Sequence, residues 1–91
     1  VIKTVGVCSG AGGSEEEVAN ADKAGCDALI TGDVKHSGFI EALNRGVTLI
    51  DAGHFHTENI ICGKIAADLE SELGIEAFIA ENSVDIVKYL Y

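Results

Sequence analysis

The stretch VTLIDAGHFHTE, residues 47–58, decides the fold and raises the question of function. Its first half, VTLIDA, is a run of mostly apolar residues that predicts a β-strand over 47–52. Its second half places two histidines and a glutamate at the start of a helix that we predict over about 54–73. Apolar residues recur at every fourth position of that helix, and Gly74 can end it. A strand that leads directly into a helix is the repeating unit of an α/β protein.

Strand-then-helix units of the same kind fill the rest of the chain. Three more strands are predicted: VIKTVGV (1–7), DALIT (27–31) and EAFIA (76–80). Three more helices are predicted over about 15–24, over about 34–45, and in the short segment VDIVKYL (84–90). The order βαβαβαβα predicts an α/β fold in which helices cover both faces of one sheet.

Helix start signals support two of these helices. Ser14 and Glu17 have the spacing of a capping box, and Gly25 can end the helix that they open. Asp33 is predicted to cap the helix over 34–45, which Gly46 would close. The inner face of this second helix is predicted to carry its large apolar residues, Phe39, Ile40 and Leu43.

Composition excludes several classes of protein. The 91 residues suffice for one compact domain, and 47% of them are hydrophobic, which excludes a disordered acidic tail. Fifteen acidic residues against six Lys and Arg give a net charge of −9. We therefore expect no nucleic-acid binding by this segment, because phosphates are bound by cationic surface. No apolar run reaches the length of a membrane span, so we expect no membrane partner.

The cysteines indicate a reducing compartment. Cys8, Cys26 and Cys62 are an odd number without metal-ligand spacing, and each lies among apolar or small residues. We interpret them as small hydrophobic residues of a cytoplasmic protein. The alternatives of a zinc site or a disulfide framework have less support.

Three polar loops follow the first three predicted strands. They are CSGAGGS (8–14), TGDVKH (31–36) and DAGHFHTE (51–58). Ligands of alternating α/β folds bind beyond the carboxyl ends of the strands. If the strands are parallel, all three loops lie at the same edge of the sheet. This predicted convergence indicates a functional site.

The first two loops each allow a structural and a functional interpretation. The glycines of CSGAGGS could form a tight turn, or they could let the backbone approach an anion at a helix N-terminus. Their spacing fits neither a P-loop nor a dinucleotide-binding fingerprint. In the second loop, Asp33, Lys35 and His36 could be a helix cap with a solvated first turn, or they could line the site.

The third loop gives the most specific signal. In a helix that begins near residue 54, His54 and Glu58 are four residues apart, and their side chains lie on one face. An imidazole nitrogen and a carboxylate oxygen could then bind one divalent ion, or the two side chains could form a plain surface pair. His56 is predicted to point away from that face, towards solvent.

The blocks VCSGAGGS, DALITGDVKH and LIDAGHFHTE, in this order and spacing, resemble the C-terminal part of the Nif-three-like family, also called GTP cyclohydrolase I type 2 homologue. The resemblance implies a three-layer α/β/α sandwich built from two intertwined halves. Residues 1–91 would be a single α/β segment within the C-terminal half. It also implies two divalent metal ions per full-length subunit and a ring-like homohexamer.

The resemblance assigns roles to particular residues. The family's G-H-x-x-T-E motif supplies two metal ligands, which correspond to His54 and Glu58. The remaining ligands, a His-His pair and an Asp, belong to an N-terminal half that this sequence does not contain. Together with the missing methionine, this predicts a piece of a longer chain. His36 is carried over only as a residue that could line the site.

These expectations lead to one principal function and two alternatives. The principal one is a metal-dependent hydrolase of cyclohydrolase type acting on a small molecule such as a purine. Asp33 is the candidate general base, because a ligating Glu58 is not free to accept a proton. The alternatives are a metal-binding regulatory or scaffold protein that engages protein partners, and a nucleotide-binding module that uses CSGAGGS. Histidine and carboxylate ligands do not distinguish Zn, Fe, Mn and Ni.

Overall fold

A computed structural model describes residues 1–90 and contains three strands and three helices. The order along the chain is β1 (Val5–Val7), α1 (Glu15–Lys23), β2 (Ala28–Thr31), α2 (His36–Arg45), β3 (Thr48–Asp51) and α3 (His54–Leu73). The strands form a parallel sheet in the order β1-β2-β3. The predicted α/β fold is confirmed, and its strands are parallel.

One face of the sheet is covered by α1 and α2, which pack against each other. Gly6, Leu29 and Leu49 are paired across the three strands and point to this face. Leu29 is buried in a small core with residues of both helices and of the loop before β3. The buried apolar residues of this core are Val18, Ala21, Leu29, Ala42 and Val47.

The opposite face of the sheet is apolar and open. Val7, Ile30 and Ile50 are paired across it, and Val7 is 73% exposed. The predicted three-layer sandwich would have its third layer on this face. Helix α3 makes few contacts with the other elements, and none of its residues is buried.

Ser14 caps α1 as predicted. Its backbone is extended, its side chain accepts the Glu17 N–H, and its hydroxyl donates to the Glu17 carboxylate. Gly25 follows the helix with a φ of +76°, the left-handed conformation that glycine adopts at low cost. Local start and stop signals therefore fixed this helix to within a residue.

The predicted inner face of α2 is wrong. The buried residues are Gly38 and Ala42, whereas Phe39, Ile40 and Leu43 are 43%, 47% and 82% exposed. A Cβ atom at position 38 would collide with the Gly13 carbonyl oxygen. Close approach of α2 to the glycine loop requires small residues, so the helix turns its large apolar side chains outward.

The predicted strand EAFIA (76–80) is also wrong, because this segment has no strand partner in the structure. It lies along α3, beside Ile65 and Leu69, and Phe78 is 83% exposed. A helix of 20 residues is about 30 Å long, so α3 carries the chain away from the sheet before residue 76 is reached.

The short helix predicted over 84–90 is not formed. The Asp85 carboxylate accepts the Val87 N–H at 2.9 Å and the Tyr89 hydroxyl at 2.9 Å. An aspartate that bonds to the backbone two residues ahead favours a turn over a helix. These hydrogen bonds lower the pKa of Asp85, the one from Val87 most strongly.

Asp27 links the N-terminus to the sheet, which leads to a prediction about pH. Its Oδ2 accepts the N–H groups of Lys3 and Thr4, each at 2.8 Å, and these bonds lower its pKa, the one from Thr4 most strongly. Because the pKa of Asp27 is lower in the folded state, its ionised carboxylate stabilises the fold fully above the unfolded pKa of about 3.9. This stabilisation is lost as the pH falls through the folded value.

We therefore expect Asp27→Asn to lower the melting temperature at neutral pH and to lower it less at about pH 2.5, because below the unfolded pKa part of the stabilisation by the ionised carboxylate is already lost. Thermal unfolding followed by circular dichroism at the two pH values measures the difference. An equal loss at both values would show that the ionised carboxylate does not hold the N-terminus.

Candidate functional site

The three loops that follow β1, β2 and β3 meet at one edge of the sheet, as predicted. The Ala52 N–H donates to the Thr31 carbonyl at 2.7 Å, which joins the second loop to the third. A Cβ atom on Gly32 would lie 2.5 Å from the backbone nitrogen of His54 and 2.7 Å from the Gly10 carbonyl oxygen. All three loops therefore pack backbone against backbone around Gly32.

Asp51, at the end of β3, fixes the second and third loops to each other. Its Oδ2 accepts the Val34 N–H at 3.1 Å and its Oδ1 accepts the Gly53 N–H at 3.0 Å. This role of Asp51 was not predicted. The position of an aspartate at a strand end, two residues before a glycine, is the signal that could have indicated it.

Thr57 fixes the first loop to α3. Its hydroxyl oxygen accepts the Gly10 N–H at 2.8 Å, and its hydroxyl donates to the His54 carbonyl at 3.0 Å. This contact was also not predicted, although Thr57 lies within the G-H-x-x-T-E block. It holds the first turn of α3 against the glycine loop.

Two N–H groups of the glycine loop are hydrogen-bonded within the fold. The Gly12 N–H donates to the buried Thr31 hydroxyl at 2.9 Å, and the Gly10 N–H is taken by Thr57. A Cβ atom on Gly12 would collide with Cys8 and Thr31. These contacts favour the interpretation of CSGAGGS as a tight structural turn, and they weaken the nucleotide-binding alternative.

His54 and Glu58 lie side by side in the first turns of α3. The helix begins at His54, as predicted, and the His54 Nε2 is 3.0 Å from the Glu58 Oε2. Both side chains are about half exposed, at 43% and 54%. The two atoms therefore face a common space that solvent reaches.

Asp33 contacts the other nitrogen of the same imidazole. Its Oδ2 is 2.6 Å from the His54 Nδ1. The predicted helix cap is wrong, because α2 begins after Lys35 and no side chain caps it. The hydrogen bond that the Asp33 carboxylate accepts raises the pKa of His54 above its usual value. Partial desolvation lowers this pKa, and the negative charge of Glu58 raises it further.

The other two histidines lie apart from this pair. His56 points away from it, as predicted, but its Nε2 lies 3.2 Å from the Asp85 Oδ2 in the C-terminal segment. Its ring also meets the Phe55 ring edge-on, with centroids 5.6 Å apart. His36 is exposed in the first turn of α2, so its predicted place in the site stays a prediction.

The His54 Nε2 and the Glu58 Oε2 have the separation of two ligands of one metal ion. Two ligand atoms that are each about 2.1 Å from one ion lie about 3.0–3.4 Å apart, close to the separation of the His54 and Glu58 atoms. Within residues 1–90, no group of three or more His, Cys, Asp and Glu side chains is arranged to hold an ion. The pair alone therefore has fewer donor atoms than a metal site needs.

Fold and site together define a class of protein: a parallel α/β protein with a polar site at the carboxyl ends of its strands and a His–Glu pair on the helix after β3. Comparison with known proteins narrows the class. The profile of the Duf34/NIF3 (NGG1p interacting factor 3) family matches residues 1–85, and the chain belongs to this family.

Individual relatives agree with this assignment. A GTP cyclohydrolase 1 type 2 homolog of Deinococcus radiodurans is 40% identical over 74 residues, which cover 81% of this chain and 27% of the relative. A NIF3 homolog of Schizosaccharomyces pombe is 33% identical over 89 residues, covering 92% of this chain and 30% of the relative. The chain thus spans less than a third of the length of these relatives.

A solved structure supports the fold. Reduced HcgD from Methanocaldococcus jannaschii matches with a TM-score of 0.72 and 30% identity, over 79% of this chain and 29% of the HcgD chain. In the part of the chain that the structure describes, no helix is long and apolar enough to cross a membrane.

Proposed function

We propose that this chain supplies His54 and Glu58 to a dinuclear divalent-metal site in a metal-dependent hydrolase of the GTP cyclohydrolase type. One observation carries the proposal: the His54 Nε2 and the Glu58 Oε2 lie 3.0 Å apart where three strand-end loops meet. In the proposed arrangement, residues 1–91 form one α/β segment in the C-terminal half of a larger two-half fold. The other half completes the site.

The chain's own residues hold the two donors in place. Thr57 ties the first turn of α3 to the glycine loop, and Asp51 fixes the loop that precedes the helix. Two divalent ions bound there would lower the pKa of a bound water and polarise a substrate oxygen. The proposed substrates are small cyclic compounds with a C=N or amide bond, the purine of GTP among them.

The surface beyond the site supports a homo-oligomer. Large apolar side chains on α3 and in the C-terminal segment are exposed: Ile60 at 78%, Leu73 at 66%, Phe78 at 83% and Ile86 at 87%. Apolar surface of this extent marks interaction sites. We propose a homohexameric ring of full-length subunits, for which sedimentation equilibrium should give six times the subunit mass. A monomer would contradict it.

The remaining proposals concern the setting of the protein. We propose a cytoplasmic location, which the free thiols of Cys8, Cys26 and Cys62 support. The net charge of −9 supports the absence of nucleic-acid binding by this segment. A gel shift with duplex DNA that weakens steeply with added salt would contradict the second proposal, and secretion of the natural protein would contradict the first.

The test of function is a turnover assay on the natural full-length protein with Zn, Fe, Mn or Ni added separately. We expect the ultraviolet absorbance of GTP or a related purine to change as its ring opens, and chelation to abolish this change. His54→Ala should abolish it as well, whereas His56→Ala should retain it.

A metal-replete protein without turnover of any such compound would contradict the hydrolase. It would favour the second candidate, a metal-binding regulatory or scaffold protein, which the exposed apolar surface of α3 also suits. Turnover that survives both chelation and His54→Ala would contradict the metal site itself.

A further inference from the structure

We propose that Asp33 is a positioning residue that holds the His54 imidazole with its Nε2 turned to the metal. This inference rests on the proposed function, in which His54 and Glu58 are ligands. It gives Asp33 a role other than the predicted general base, because the Asp33 Oδ2 lies 2.6 Å from the His54 Nδ1.

The contact with Asp33 favours one of the two tautomers of a neutral His54, the form that a metal ion binds. A neutral imidazole carries one N–H and one lone pair, and a carboxylate can only accept a hydrogen bond. If Asp33 accepts from Nδ1–H in the neutral imidazole, the lone pair lies on Nε2, and a metal ion shared with Glu58 would bind at this atom, which lies 3.0 Å from the Glu58 Oε2. Metal-binding histidines commonly donate their second N–H to a carboxylate, which fixes the tautomer and the ring orientation.

The backbone of Asp33 is held in an uncommon conformation. Its φ is +51°, and no other non-glycine residue of the described chain has a positive φ. The left-handed region is disfavoured for residues with a side chain, and such conformations persist where surrounding contacts impose them. Asp33 does not cap α2, so local helix formation does not explain this conformation.

The neighbours of Asp33 are fixed on both sides. Gly32 packs against the backbone nitrogen of His54, and the Val34 N–H donates a hydrogen bond to the Asp51 carboxylate at 3.1 Å. The Asp33 side chain is itself 60% exposed, so burial does not hold it against the imidazole. The loop conformation directs the Asp33 carboxylate towards His54, although enough of the side chain is exposed for it to be solvated instead.

The test uses two substitutions in the full-length protein. Asp33→Gly removes the carboxylate and suits the left-handed backbone, so it should leave the fold intact. Asp33→Asn also suits that backbone and keeps an oxygen that can accept from Nδ1–H. Asp68→Asn is the control, because it removes one negative charge on α3 at a carboxylate that pairs with Lys64.

Two quantities are measured: the affinity for Zn²⁺ by competition with a chelator, and the His54 tautomer by ¹⁵N NMR of the imidazole. We expect Asp33→Gly to lower the affinity about 10- to 100-fold and to reduce the population with Nδ1–H. Asp33→Asn should recover most of the affinity and keep the tautomer. Asp68→Asn should change neither.

The outcomes separate this inference from the function on which it rests. If Asp33→Gly keeps the parent affinity and tautomer while His54→Ala loses zinc, the positioning role is overturned and the metal site stands. If His54→Ala also keeps its zinc, the proposed site is wrong and the role of Asp33 falls with it. An equal loss of affinity in Asp68→Asn would reduce the effect to net charge and overturn the positioning role.

Discussion

Replacing Gly32 by alanine is expected to destabilise the protein by about 3 kcal/mol, the upper end of the usual cost of overpacking. The added methyl group would lie 2.5 Å from the backbone nitrogen of His54 and 2.7 Å from the Gly10 carbonyl oxygen. Both neighbours are backbone atoms of other loops, so no side-chain rotation relieves the contact. Urea unfolding of the purified full-length protein measures the change.

Gly63→Ala is the matched control. Gly63 lies within α3, and a Cβ atom there would have no neighbour within 4 Å. Alanine in a helix interior is more stable than glycine by roughly 0.5–1 kcal/mol, so this variant should be slightly stabilised. A cost of less than about 0.5 kcal/mol for Gly32→Ala, as at an ordinary surface position, would show that the three loops do not meet as described.

The parts of the fold that depend on local signals could be predicted from the sequence. Ser14 and Glu17 placed the start of α1, and Gly25 placed its end, because caps act over a few residues. The start of α3 at His54 followed from the end of the strand before it. With these bounds and parallel strands, the convergence of the three loops was also predictable.

The parts that depend on distant contacts could not be predicted. Asp33 has the composition and position of a helix cap, but its carboxylate is bonded to a histidine 21 residues away. EAFIA has the composition of a strand, yet α3 carries it away from the sheet edges. Phe39 and Leu43 have helical spacing, but the close approach of Gly38 to the glycine loop sets the opposite phase.

In the candidate site, too, the features set by local sequence were predictable and those set by distant contacts were not. The helical spacing of His54 and Glu58 placed both on one face, because that geometry is intrinsic to a helix. The cross-links from Thr57 and Asp51 were not predictable, because each joins loops whose separation in space the sequence does not give. The contact of His56 with Asp85 also required the folded position of the C-terminal segment.

Removal of either proposed ligand should have the largest effect on metal content. His54→Ala leaves only the Glu58 carboxylate, and Glu58→Ala leaves only the His54 imidazole. In the proposed site this chain supplies both ligands to the metal. We expect each variant of the natural full-length protein to lose most of its metal. His56→Ala should retain it, because His56 contacts Asp85 on another side of α3.

The most direct test of the account is elemental analysis of the natural full-length protein and of these three variants after purification. We expect about two divalent ions per subunit in the parent and in His56→Ala, and a marked loss in His54→Ala and Glu58→Ala. Retention of metal by His54→Ala together with its loss from His56→Ala would contradict the assignment of the site.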